Sequence, residues 1–259
     1  MRLLFVGDVV ASCGRNMFFK SIDKIKKQYE IDVIILNGEN AVHGRGLSLN
    51  VSQELFQSGV NVITTGNHVW NNRDILQAME CSPYILRPAN MPKNNPGHGS
   101  VIFDTGKVKI GVINLIGRVY MEACDCPFEI VDREIARLHK QTNIIFVDFH
   151  AEATSEKVAL GWYLDGRVSA VCGTHTHIQT ADERILPKGT AYITDVGMTG
   201  AYYSVLGMER SVILKRFRTH MPQKFTLAEG AAQLCAVVID IDEQTGRANH
   251  IERIFLLDF

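Results

Sequence analysis

The sequence predicts an α/β fold, and three observations carry that prediction. Short apolar runs are separated by an amphipathic helical stretch, five of the runs end in polar side chains able to bind metal, and 46% of the 259 residues are apolar, enough to bury a sizeable core. No linker, repeat or low-complexity segment divides the chain, so residues 1–259 read as a single domain.

Residues 3–6 form a first strand ending at Gly7-Asp8, and residues 33–36 a second ending at Asn37-Gly38-Glu39-Asn40. Between them, residues 16–29 set Phe18, Ile22, Ile25 and Tyr29 at spacings of three and four, an amphipathic helix with its lysines outward. Ser48 caps a helix over residues 49–57, and residues 60–64 make a third strand ending at Gly66-Asn67-His68. Residues 83–99, rich in Pro, Asn and Gly, read as a long ordered loop leading into strands at about 100–105 and 108–115. Residues 144–147 then lead to Asp148-Phe149-His150, and residues 168–172 to Gly173-Thr174-His175-Thr176-His177. Later strands near 190–194, 231–241 and 249–257 are expected to form a second, more antiparallel sheet.

Ligands of open α/β sheets bind outside the carboxyl ends of the strands, so the five strand-end clusters are expected to meet. Asp8, Glu39, Asn40, Asn67, His150, His175 and His177 supply carboxylate, amide and imidazole donors, a set that accepts iron, manganese or zinc. A carboxylate such as Glu39 can bridge two cations, so these residues suffice for two sites with a shared water between them. Two divalent ions would outweigh two carboxylates, attract phosphate, and lower the pKa of bound water, making metal-bound hydroxide the nucleophile. Each cluster alone has an ordinary explanation as a cap, a turn or a core histidine. Their joint placement at five strand termini outweighs those explanations, and metal ligation is best supported for His175 and His177, two residues apart at one strand end.

Composition narrows the partners. With 27 Lys and Arg against 28 Asp and Glu, no global positive field exists to hold a nucleic-acid backbone or an anionic membrane, and a small-molecule substrate is favoured over a polymer. Only four apolar residues precede Gly7-Asp8, fewer than the roughly 7 to 15 of a signal peptide. No apolar run approaches the roughly 20 residues of a membrane span. A cytoplasmic protein is expected. Six cysteines are too sparse for a disulfide framework and read as reduced thiols, with Cys13, Cys81, Cys172 and Cys235 placed where burial is expected and Cys124 and Cys126 in a surface loop.

Gly38-Glu39-Asn40, Gly66-Asn67-His68 and Gly173-Thr174-His175-Thr176-His177 resemble the blocks of the calcineurin-like metallophosphoesterases. Val10 stands where that superfamily has an imidazole, and Glu39 where its bridging residue is normally Asp. These departures resemble the YmdB-type branch, as do Arg87-Pro88-Ala89-Asn90, Asp148-Phe149-His150-Ala151-Glu152-Ala153-Thr154, Gly161-Trp162-Tyr163-Leu164-Asp165-Gly166-Arg167 and Thr194-Asp195-Val196-Gly197-Met198-Thr199-Gly200. The resemblance implies an αββα fold, a sandwich of two sheets flanked by helices. It implies two divalent ions per chain, iron or manganese, one on Asp8, Glu39, Asn40 and His177 and the other on Glu39, Asn67, His150 and His175. The implied activity is hydrolysis of a small phosphodiester, a 2′,3′- or 3′,5′-cyclic nucleotide, with His68 as proton donor to the leaving oxygen. Asp195, Met198 and Thr199 are implied to border the site and offer backbone N–H groups to the substrate. A phosphomonoesterase, a nuclease or a non-catalytic nucleotide sensor is the alternative, and a homo-oligomer is left open.

Asp148 is expected on the strand face away from His150, in a structural role, while Thr174 and Thr176 are candidates to orient the histidines. His43 reads as a loop residue. Lys215, Arg216, Arg218, His220 and Lys224, interrupted by Phe217, read as a solvated basic face, with nucleotide or RNA contact as the less favoured alternative.

Overall fold

The computed structural model describes residues 1–258. In chain order the elements are β1 (Arg2–Val6), β2 (Asp8–Val9), α1 (Ala11–Tyr29), β3 (Val33–Asn37), α2 (Leu49–Gln57), β4 (Val62–Thr64) and α3 (Ile75–Cys81). They continue with β5 (Ser100–Asp104), β6 (Lys109–Ile116), α4 (Pro127–Leu138), β7 (Ile145–His150), α5 (Thr154–Leu164) and β8 (Ala170–Thr174). The chain closes with β9 (Arg184–Ile185), β10 (Ala191–Ile193), β11 (Met198–Ala201), α6 (Arg210–Thr219), β12 (Ala232–Ile241) and β13 (Ala248–Asp258).

The strands form two sheets, one ordered β2-β11-β12-β1-β3-β4 with β13 also paired to β12, the other β5-β6-β7-β8-β10-β9. Side-chain alternation along the strands decides what each face packs against. Leu3 and Phe5 of β1 join Val112, Phe146, Ala170 and Cys172 in a core shared by both sheets, and Phe5 meets Phe146 edge-on at 4.8 Å between ring centroids. Leu4 and Val6 point the other way, onto Phe18, Ile22 and Ile25 of α1 and Leu55 of α2. The second sheet repeats the arrangement: Val147 and Phe149 face outward onto Val131, Ile135 and Leu138 of α4 and Leu160 of α5. Helices therefore cover the outer face of each sheet.

Two expectations are corrected. The late strands do not form a sheet of their own. β10 runs parallel to β8 in the second sheet, whereas β12 lies antiparallel to β1, with Leu3 opposite Ile239, and carries β13 with it. Strand periodicity specifies which face is apolar but not which neighbour completes the ladder. Helix α1 begins at Ala11, ahead of its apolar stripe. Its first turn holds Gly14, where an added Cβ would collide with the Thr199 carbonyl, so the helix lies directly against β11. By contrast α2 spans the expected residues, with Ser48 Oγ accepting the Val51 N–H at 3.3 Å.

Cys172 and Cys235 are buried as expected, but Cys81 is exposed and Cys13 half-buried; all six thiols are free. Among the described residues no helix is long and apolar enough to cross a membrane.

Candidate metal centre

Strand ends from both sheets deliver the site. Asp8 opens β2, Glu39 and Asn40 follow β3, and Asn67 and His68 follow β4, all in the first sheet. His150 ends β7, and His175 and His177 follow β8, in the second sheet. The join is tight: the His175 N–H donates to Asp8 Oδ2 at 3.1 Å across 167 residues of sequence. Gly66 must be glycine, because a Cβ there would overlap the His150 ring and the Glu39 carboxylate. His175 and His177 adopt left-handed backbone angles, φ 100° and 65°, a conformation costly for residues with a Cβ and commonest where side chains are aimed for function.

Three side chains converge on one nitrogen. His150 Nε2 lies 3.0 Å from Asn67 Oδ1, 3.0 Å from His175 Nδ1 and 3.2 Å from Glu39 Oε2. One imidazole nitrogen makes a single hydrogen bond, so this crowding exceeds its capacity. Donor atoms of Glu39, His150 and His175 all lie within 4.8 Å of one another, a group able to hold a metal ion. Beside them Asp8 Oδ1 and Asn40 Oδ1 are buried without any hydrogen-bond partner. The Asn40 amide is oriented by donation from Nδ2 to the Gly44 carbonyl at 3.0 Å, so its oxygen is the atom left to bind.

Outer partners settle which ring nitrogen each histidine offers. Thr174 Oγ1 donates to Asp148 Oδ1 at 2.7 Å and must therefore accept from His150 Nδ1–H at 3.0 Å, leaving Nε2 as the ring nitrogen that faces the cluster. His177 Nδ1–H donates to the Leu206 carbonyl at 3.1 Å, freeing its Nε2. His175 Nε2–H faces Glu152 Oε2 at 3.0 Å, freeing Nδ1 on the side of His150.

Charge makes the same case. Burial disfavours the His150 cation, yet Glu39, Asp8 and Asp148 overcome it and push the imidazole up to about 9. Burial works against ionisation of Glu39 too, but His150 and His68 hold its carboxyl well below the usual range. Burial, reinforced by the charge on His150, lowers His175 to about 3, so it is a neutral donor. The site thus demands positive charge among oxygen and nitrogen lone pairs, and divalent cations meet that demand. The donor chemistry fits metal.

His68 stands at the rim, its side chain 26% exposed, with Nδ1 3.0 Å from Glu39 Oε1 and its backbone N–H donating to Glu39 Oε2 at 3.2 Å. It lines a cleft of about 560 Å³ with Glu39, Asn40, His175 and His177, and Val10 lies in the same wall.

Several sequence expectations change. Asp195, Met198 and Thr199 are buried and do not line the cleft. Asp195 Oδ2 receives the Lys157 ammonium and the Thr176 N–H and hydroxyl, while Oδ1 takes the Gly197 N–H at 2.8 Å. The Met198 N–H is also taken, by the His177 carbonyl at 3.3 Å. This turn braces the His175 and His177 loop from behind. Asp148 shares the face of His150, as residues two apart on a strand must. Burial raises its carboxyl to about 6, and Thr64, Thr174 and Asn37 all donate to it. Glu152 had no readable signal, since an acid after a strand is ordinary until its partner is known. The basic face is not merely solvated either: Arg216 and Phe217 line the cleft with Arg45.

Such a donor set at the convergent ends of two stacked sheets defines an α/β protein built around a metal-binding cluster. The family model described as YmdB-like protein matches residues 4–254, and the chain belongs to that family. It is 54% identical, over 100% of its length and 98% of the relative's, to a 2′,3′-cyclic-nucleotide 2′-phosphodiesterase of Bacillus subtilis (strain 168). Among solved structures it is similar to a hypothetical protein of Thermus thermophilus, with TM-score 0.93, 40% identity and complete coverage of both chains. It is also similar to a protein of Mycoplasma pneumoniae described as a novel phosphatase, with TM-score 0.94 and 37% identity, covering 99% of this chain and 93% of that one.

Proposed function

We propose that this chain is a metal-dependent phosphodiesterase of the calcineurin-like type, a single domain that hydrolyses cyclic nucleotides, 2′,3′-cyclic ones foremost. The observation that carries the reading is the convergence of Asn67, His175 and Glu39 on His150 Nε2, beside the unpartnered oxygens of Asp8 and Asn40, under an open cleft. The Bacillus subtilis relative supports the choice of ester.

Two divalent ions, iron or manganese, fit the donor set. Asp8, Glu39, Asn40 and His177 would hold one, and Glu39, Asn67, His150 and His175 the other. When bound, these cations lower the pKa of water toward about 7 and draw charge from the phosphoryl oxygens. The remaining work belongs to the chain. His68 Nδ1 is held by Glu39, so Nε2 exchanges the proton with substrate. Water adds across the P–O2′ bond: the new P–O bond forms, P–O2′ breaks, and His68 delivers the proton to O2′, leaving a 3′-phosphate. Asp148 and Thr174 keep His150 in the tautomer that binds. Free thiols, two of them buried, suit a reducing compartment, and we read the enzyme as cytoplasmic.

The test is hydrolysis of 2′,3′-cyclic AMP by chelated protein reloaded with Fe(II) or Mn(II), with chelated protein as control. Metal-dependent release of 3′-AMP is expected. No turnover of the cyclic ester alongside hydrolysis of p-nitrophenyl phosphate would instead favour a phosphomonoesterase, the second reading, which the description of the Mycoplasma pneumoniae relative favours.

A further inference from the structure

The side chains of one wall of the cleft have no role in the chemistry above, although the Gly44 and Leu206 carbonyls of that wall orient Asn40 and His177. The wall is made by the loop carrying Arg45 and by the segment from Leu206 to Phe225. A second hollow, of about 340 Å³, shares Arg45, Met208, Arg216 and Phe225 with the cleft and adds His43 and Gln223. The two hollows therefore adjoin, with both arginines at their common boundary.

Arg45 is held in register with the metal donors. Its loop closes through Arg45 N–H to the Val42 carbonyl at 2.9 Å, Gly46 N–H to the Glu39 carbonyl and Asn40 Nδ2 to the Gly44 carbonyl. Gly44 and Gly46 take left-handed angles to make the turn. Across the boundary the Arg216 guanidinium lies 5.0 Å from the Phe225 ring centroid. Among the described residues neither Arg45 nor Arg216 forms an ion pair, although Glu39 and Glu152 line the same cleft. Phe217 is 72% exposed and Phe225 36%, although both line the cleft. Exposed rings beside unpaired guanidinium groups offer stacking surface for bases and counter-charge for phosphate.

Resting on the phosphodiesterase reading, we propose that the cyclic phosphate this site takes is the 3′ end of an oligoribonucleotide. The first hollow holds the terminal nucleoside and the second the nucleoside before it. Arg45 and Arg216 contact the phosphodiester between the two, and Phe217 and Phe225 lie against the bases. The chain's formal charge of -1 limits recognition to these few contacts at an end, without the long positive track that a polymer-coating protein needs. A 2′,3′-cyclic end forms when a ribose 2′-hydroxyl attacks the adjacent phosphodiester and expels the 5′-oxygen. That class of RNA cleavage supplies the substrate, and hydrolysis of P–O2′ returns a 3′-phosphorylated end.

The experiment compares kcat/KM of the metal-loaded enzyme for 2′,3′-cyclic AMP and for the dinucleotide ApA bearing a 2′,3′-cyclic phosphate. The dinucleotide should be preferred by ~10-fold or more, as one added stacked base and one added phosphate contact imply. Arg45→Ala and Arg216→Ala should each bring that ratio down toward one, with metal content and melting temperature monitored to show a folded, loaded protein. A wild-type ratio near one, or a ratio the variants leave in place, overturns the proposal while the mononucleotide activity keeps the phosphodiesterase reading. A loaded enzyme that turns over neither ester overturns both.

Discussion

The floor and the outer wall of the cleft are built on opposite plans. On the floor, Asp8, Asp148, His150 and Thr174 are wholly buried, and each histidine is tied to a named acceptor. On the wall, Arg45, Arg216 and Phe217 face solvent or cleft, with no ion pair among the described residues. Metal donors must hold position within about 0.5 Å, which requires rotamers fixed by packing and by outer hydrogen bonds. A wall that meets bases needs area and charge but little preset geometry, so a helix and its flanking loops serve. The floor should consequently be sensitive to single atoms, and the wall to whole side chains.

The largest effect should follow His150→Ala. It removes a donor from the centre of the cluster and leaves Glu39 and Asp8 buried without their counter-charge. Metal content measured by elemental analysis should fall below detection and activity with it, beyond the ~10- to 100-fold typical when only an outer partner is lost. A variant that kept its metal would break the assignment of the floor. His68→Ala comes next: kcat should drop ~10²- to 10⁴-fold with metal content unchanged, which separates proton delivery from metal holding.

Lys157→Met tests the brace behind the floor. Asp195 would stay buried while losing its cation, so denaturant unfolding should show a loss of ~3 to 5 kcal/mol. Thr174→Val is subtler. It removes only the hydroxyl linking Asp148 to His150, and metal affinity should weaken ~10- to 100-fold in a chelator competition. For contrast, Phe217→Ala on the wall should change stability by no more than ~0.5 kcal/mol and leave metal content intact, since its ring is mostly exposed. A strongly destabilised Phe217 variant would mean that the wall is structural after all.

The smallest effect concerns pH. Burial opposes ionisation of Asp182, but hydrogen bonds from Thr194 and Thr180 prevail and lower its pKa from the usual 3.8. A depressed carboxylate pKa contributes stability that is fully present above pH 3.8 and is lost as pH falls through the lower folded value. Asp182→Asn should therefore lose stability near neutrality and show a shallower decline below about pH 4 than the parent, measured by thermal unfolding.

What the sequence determined by itself is local. The apolar stripe of α1, the Ser48 cap of α2 and the polar clusters after β1, β3, β4, β7 and β8 are all legible, because spacing along one element decides them. Tertiary structure alone decided the rest. Local periodicity is the same whichever strand lies alongside, so only packing brought β12 against β1 and β10 against β8. Nor does a residue's type reveal its partner. Only the folded chain sets Glu152 against His175, links Asp148 through Thr174 to His150, turns Asp195 inward to Lys157, and brings Arg216 and Phe217 over the cleft. Each of these contacts joins segments far apart in sequence, where the geometry of the whole sandwich, and no neighbour along the chain, sets the distance.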